Sequence, residues 1–261
     1  MHATLRKSAQ SLLSWLPRRM HNAAIGAFAD KAPGPFARLV EVERLRQLLT
    51  FLDVDCVLDI GANEGQYALQ LRRRVGYSGR LISFEPIPRM AARLRQLAAA
   101  DPRWSVEEIA VSDRNGMARF NVMASSELSS LSAPTSQETN ILDALNRTVE
   151  TIDIRCESLE SVLHRLEQEQ DIRRPFLKMD TQGHDMIIAR GAAPVLQRFV
   201  GIQTELAVKR LYETSVPIGE SIDFFQKAGF ELSALVPNNR GHFPVLIETD
   251  GLFIRRDLTK P

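Results

Sequence analysis

The sequence predicts an open α/β sheet: mostly parallel strands, helices on both faces, and one antiparallel strand closing it. Three observations lead there. Apolar strand-like runs alternate with helical patterns from about residue 56 onward. The first run stops at a glycine turn, Asp59-Ile60-Gly61-Ala62-Asn63-Glu64-Gly65, and a helical pattern follows at once. The last two strand candidates, 230–236 and 249–255, are joined by the short irregular stretch Pro237-Asn238-Asn239-Arg240-Gly241-His242, which favours an antiparallel pair.

Residues 1–35 form a basic segment, in which Arg6, Lys7, Arg18 and Arg19 surround Leu12, Leu13, Trp15 and Leu16. It is too short and lacks the small-residue cleavage site of a signal peptide. Two readings remain, a helix packed on the main domain or a peripheral membrane contact; packing is preferred. Ala32-Pro33-Gly34-Pro35 breaks the chain, so the main domain is expected over residues 36–261.

Leu39, Val42, Leu45, Leu48 and Leu49 then read as an amphipathic helix over 36–51. Strands are predicted at 56–60, 80–84, 104–109, 175–180 and 198–204, and helices at 65–75, 87–99, 157–169, 185–197 and 218–228. Asp113-Arg114-Asn115-Gly116 is a tight turn into a hairpin-like strand at 117–123. The Ser- and Thr-rich stretch 124–140 reads as a loop able to cover a pocket.

The composition is that of an ordinary folded domain, with 44% apolar and 25% charged residues in a chain of 261. A formal charge of +1, with only three Tyr and two Trp, gives no basic, aromatic groove for nucleic acid. No stretch approaches the ~20 apolar residues of a membrane span. Cys56 and Cys156 stand far apart and fit no zinc motif, so a reducing, cytoplasmic setting is expected.

The chemistry concentrates at strand ends. Gly61 and Gly65 let the backbone approach a ligand, and no Gly-Lys-Ser/Thr follows to cradle a triphosphate. A turn of this form suits a ligand with a ribose and an amino-acid tail, such as S-adenosylmethionine. The next strand ends at Glu85-Pro86, roughly twenty residues on, where dinucleotide folds place a ribose-binding carboxylate. Farther along, Lys178-Met179-Asp180-Thr181-Gln182-Gly183-His184-Asp185 puts Asp180 at a strand end and His184 in the first turn of a helix. Taken alone, Lys178 would read as a strand residue pointing outward, but beside so many polar neighbours at a strand end that reading weakens. The following strand delivers Glu205 to the same rim. Asp180, Asp185 and Glu205 would also suit a hard cation, although no metal is expected.

These motifs resemble the FkbM family of S-adenosylmethionine-dependent methyltransferases. Beside the segments above, the resemblance rests on Phe84-Glu85-Pro86, Ala110-Val111-Ser112-Asp113, Leu211-Tyr212-Glu213, Gly229-Phe230 and Asp250-Gly251-Leu252-Phe253, and runs from Val57 to Arg256. Many members carry Glu where this chain has Gln182. The resemblance implies a class I methyltransferase fold, Rossmann-like and seven-stranded, and methyl transfer to a hydroxyl of a sugar or natural product. It implies that Asp59, Gly61, Ala62, Asn63, Gly65, Glu85, Pro86, Ala110, Ser112 and Asp113 hold the cofactor. Among His184, Asp180 and Glu205, His184 is the first candidate base, because histidine titrates near neutrality. A small-molecule or RNA methyltransferase and a non-catalytic cofactor-binding protein are the alternatives.

Overall fold

The computed structural model describes residues 33–123, 129–133, 135, 148–237 and 245–259. The basic segment before residue 33, most of the loop over 124–140 and the connection 238–244 lie outside the described residues. Two compact units divide the chain, Met1–Glu43 and Arg44–Pro261. Helix α1 (Pro33–Phe51) begins in the first. The second unit carries the sheet.

The remaining elements, in order, are β1 (Cys56–Ile60), α2 (Gln66–Gln70), β2 (Arg80–Phe84), α3 (Pro88–Ala98), β3 (Trp104–Glu107), β4 (Ala110–Ser112), β5 (Gly116–Met123) and β6 (Thr148–Ser158). Then follow α4 (Leu159–Glu169), β7 (Pro175–Met179), α5 (Asp185–Gly191), β8 (Gly201–Ala207), α6 (Ile218–Lys227), β9 (Phe230–Pro237) and β10 (Glu248–Arg255). Seven strands make one sheet in the order β3-β2-β1-β7-β8-β10-β9. Strands β3 to β8 in that order run parallel, and β10 is antiparallel to both its neighbours. The strand order reverses between β1 and β7, so the crevice for a ligand lies at the carboxyl ends of those two strands.

Every residue of β1 and β7 is buried, as central parallel strands covered on both faces require. Cys56, Leu58 and Ile60 join Val162, Leu163 and Leu166 of α4 in one large core. Helix α4 starts where the Ser158 hydroxyl accepts from Ser161 N at 3.2 Å, satisfying an otherwise orphaned donor. Helix α3 starts with Pro88 at its first position and buries Met90, Ala91, Leu94 and Ala98 at helical spacing.

Four expectations change. The helix expected over 65–75 is α-helical only to Gln70; residues Leu71–Val75 form a π-helical turn that ends at Gly76. The helix expected over 185–197 stops at Gly191, ahead of Pro194, which cannot continue it. The strand expected over 198–204 runs instead from Gly201 to Ala207, because β10 pairs with it along Glu248–Ile254. Glu205 therefore lies inside β8, opposite Asp250, and not at its end.

The fourth change is a second sheet, β4-β6-β5. Ala110–Ser112, read as part of a turn, is a strand parallel to β6, and β6 itself was not anticipated. Its inward residues Ile152, Ile154 and Cys156 pack with Phe120, Val122 and Ala110, and with Ile87 and Met90. The period-two signal was present but short, and Thr151, Asp153 and Arg155 on the outer face masked it.

Both cysteines are buried and unbonded, and burial pushes the Cys56 thiol up to about 12. In the same core Phe253 of β10 is fully buried, its ring centroid 4.7 Å from that of Phe225. Phe253→Ala is expected to cost about 3–5 kcal/mol in urea unfolding, because the cavity cannot close between a strand and a helix.

Candidate active site

The first half of the site is the turn after β1. Gly61 N and Ala62 N both reach Phe84 O at 3.1 Å, tying the turn to the end of β2. Gly61, Asn63 and Gly65 all have left-handed backbones, with φ of 78°, 46° and 87°. Gly61 must be glycine twice over: its φ disfavours a side chain, and a Cβ would be driven into the Asp180 carbonyl. Asparagine tolerates the left-handed region better than most residues, which accounts for Asn63.

Glu85 fixes this turn from beneath. Its Oε2 accepts from Asn63 N and its Oε1 from Ile87 N, both at 2.8 Å. Burial pushes the carboxyl up to about 7, against the pull of these two donors. Each oxygen still has a lone pair for a further donor. Asn63 Oδ1 is buried without a hydrogen-bond partner among the described residues. Ala62 and Pro86 are buried beside them.

Under the turn runs a polar row across four strands. Ser83 donates to Asp59 Oδ2 at 3.2 Å, and Trp104 Nε1 donates to Ser83 at 3.0 Å. Lys178 Nζ lies 3.0 Å from Asp59 Oδ1, an ion pair made off the ideal hydrogen-bond line, and 3.6 Å from Asp180 Oδ2. Asp59, placed by sequence among the cofactor ligands, is fully buried and engaged by this lysine and serine. Lys178 does not point outward; it is buried, 5.2 Å from the centroid of the Tyr67 ring. Burial works against its charge, but Asp59 and then Asp180 outweigh it and raise its pKa well above that of an ordinary lysine.

The second half is the rim at the ends of β7 and β8. Gln182 donates from Nε2 to Asp180 Oδ1 at 2.9 Å and to Glu205 Oε2 at 3.3 Å. Tyr212 donates to Gln182 Oε1 at 2.9 Å. Gly183 is required here, since a Cβ would lie 2.6 Å from Tyr212 Cβ. Burial, and then Glu248, Asp180, Asp185 and Asp250, hold Glu205 well above the usual carboxylate range. Glu248 hydrogen-bonds Glu205, and burial pushes it up to about 7. Both line a small recess open to solvent, with Gly183, Ser215 and Val216.

Asp185 turns inward instead. It accepts from Thr181 N at 2.8 Å, from Thr204 Oγ1 at 2.8 Å and from Glu205 N at 3.2 Å. Among the described residues no three His, Cys, Asp or Glu side chains are placed to hold a metal ion.

His184 is not brought to this rim. It is buried, with Nε2 2.9 Å from Ser112 Oγ and Nδ1 3.4 Å from Ser132 Oγ. Ser112 also shares its hydroxyl with Asp113 Oδ1 at 3.1 Å. Thus Ser112 and Asp113, expected among the cofactor-holding residues, form a clasp between β4 and α5, with Ala110 buried in the second sheet. Burial holds the imidazole down at about 4, so it cannot titrate near neutrality as the sequence suggested. Sequence reasoning missed Lys178, and also Glu248 at the recess and Tyr67, whose hydroxyl donates to the buried Gln203 at 2.9 Å. Only the alternation of β8 and β10 could have placed Glu248 there.

Residues 59–232 match the methyltransferase FkbM domain. A curated relative, the 2-O-methyltransferase NoeI of Sinorhizobium fredii (strain NBRC 101917 / NGR234), is 31% identical over 211 residues, covering 74% of this chain and 79% of that protein. Solved structures similar to the chain include magnesium protoporphyrin IX methyltransferase from Synechocystis PCC 6803, at 10% identity and a TM-score of 0.42, covering 84% of this chain and 80% of that one. Fibrillarin from Aeropyrum pernix is 12% identical with a TM-score of 0.42, over 77% of this chain and 66% of that chain.

The buried imidazole has a consequence for stability. Its folded pKa lies below its unfolded one, so the unfolded chain binds the proton first and acid favours unfolding. Stability should fall as pH drops from about 6.5 to about 4. The loss should reach up to about 3 kcal/mol. In urea titrations across that range, His184→Gln should lose distinctly less stability than the wild type. Parallel curves would show that His184 is solvated or charged in the fold.

Proposed function

The chain belongs to the FkbM methyltransferase family of S-adenosylmethionine-dependent methyltransferases, and we propose that it methylates a hydroxyl of a sugar or a sugar-bearing natural product. The observation that carries this reading is the acidic rim beside the glycine turn, with Lys178 linking the two. A neutral polyol finds hydrogen-bond acceptors and an amide donor there. A nucleic acid would bring phosphates against Asp180, Glu205, Glu248 and Asp250, which speaks against an RNA acceptor. The relative named as a 2-O-methyltransferase supports oxygen as the acceptor atom.

The residues present fit the cofactor. Asn63 Oδ1 is a buried acceptor with no partner among the described residues, suited to an ammonium or hydroxyl donor. Glu85 retains lone pairs for a ribose diol. Gly61 keeps the turn free of a side chain. S-adenosylmethionine supplies, when bound, an electrophilic methyl on its sulfonium. The chain's own task is to align the acceptor and take its proton as the new bond forms. Glu205 is the proposed base, with Asp180 beside it. A carboxyl raised toward neutrality is a stronger proton acceptor than an ordinary one once ionised. No helix among the described residues is long and apolar enough to cross a membrane.

Two experiments test this reading. In calorimetric titration, S-adenosylmethionine should bind the wild type and lose its heat with Gly61→Val, while NAD should bind neither. Glu205→Gln should keep the cofactor affinity and lower kcat on a glycan acceptor by ~10²–10⁴-fold. Wild-type kcat should rise with pH through and above about 7, because the Glu205–Glu248 pair must lose a proton. A rate independent of pH from 6 to 9, or a fully active Glu205→Gln enzyme, would remove Glu205 from the chemistry.

A further inference from the structure

We propose that Gln182 is the positioning residue of the acceptor rim: its amide clamps Asp180 and Glu205 together, Tyr212 fixes which way the amide faces, and the clamp favours the ionised form of the proton-accepting carboxyl. The inference deepens the hydroxyl-methylation reading and rests on it.

Geometry carries the argument. Gln182 has a left-handed backbone at φ 53°, uncommon for a residue with a side chain. Ser130, itself buried, holds that backbone by donating to Gln182 O at 2.8 Å. The side chain then spans the ends of two strands, 2.9 Å from Asp180 and 3.3 Å from Glu205. An ionised carboxylate can only accept, so the amide must present its two N–H groups to the acids and its oxygen elsewhere. Tyr212 OH, 2.9 Å from that oxygen, supplies the matching donor.

The clamp opposes the acidic groups around Glu205. From β10 it faces Glu248 and Asp250, from α5 Asp185, and from the end of β7 Asp180, all of which disfavour its charge, as does burial. Lys178 stands beside Asp180 at 3.6 Å and is the cation in this set. Hydrogen bonds to the charged form lower a carboxyl's pKa, so an amide in this position offsets part of that repulsion. A carboxylate in its place would accept from Tyr212 equally well, yet it would add a charge and remove both donors.

Gln182→Glu tests this with almost no change of shape. Its rising kcat–pH limb should move up by about one unit or more, so that kcat at a fixed pH below the limb falls about tenfold per unit. KM for the cofactor should stay within about twofold. Tyr212→Phe, which frees the amide to rotate, should shift the limb in the same direction but by less. A second readout needs no acceptor: the side-chain carboxyls of isotope-labelled protein can be titrated by NMR in wild type and Gln182→Glu. An upward shift of the Glu205 titration supports the clamp even if no hydroxyl acceptor is methylated, which would count against the functional reading alone. If kcat drops while the pH limb and the carboxyl titration stay in place, Gln182 is merely structural and the clamp is wrong. If Gln182→Glu fails to fold, an unmoved limb and titration in Tyr212→Phe overturn the proposal.

Discussion

The buried ammonium of Lys178 is the contact on which the site depends. One side chain joins three pieces of backbone: Asp59 within β1, Asp180 just past β7, and the Gly61 carbonyl, 3.4 Å from Nζ. A charge in this position costs several kcal/mol of desolvation unless it is well compensated. The compensation comes from one carboxylate under the cofactor turn and another on the acceptor rim. Neither half of the site can shift far without uncovering that charge. The register makes this inevitable, because Asp59 and Lys178 are direct partners across β1 and β7.

The same row explains why so many residues quoted from the sequence are not exposed. Asp59, Ser83 and Lys178 are interior groups whose partners are one another. They shape the crevice from below, beneath the glycine turn and the Asp180–Gln182–Glu205 cluster. Such a buried network, with its members largely paired, rigidifies what it supports.

Much of the architecture was legible because it rests on local signals. The run Cys56–Ile60, the glycine turn and Arg80–Phe84 announce themselves by apolar runs and breakers, and they fall where the sequence put them. The antiparallel closing strand followed from a short connection. What stayed hidden depends on pairing between distant segments. Glu205 was placed at a strand end because nothing local says that β10 extends β8 beyond Thr204. Strand β6 was missed because polar residues on its exposed face obscured three inward ones. His184 looked like a base by chemistry and by its place after a strand, but its environment is set by Ser112 and Ser132, more than fifty residues away. Orientation and burial, which decide a residue's chemistry, are tertiary properties.

The strand order also bears on how the molecule is made. Strand β10 comes last along the chain, yet it fills the gap between β8 and β9. Until it is in place, β9 has no neighbour and β8 has an open edge. Synthesis from the amino end therefore produces first a parallel half-sheet with its glycine turn, and only afterwards the strand that starts with Glu248. The nascent protein can acquire the cofactor cradle while its acceptor rim is still missing a wall. Completion of the rim coincides with filling of the gap between β8 and β9, so the order of translation itself keeps a half-built chain from having a finished rim.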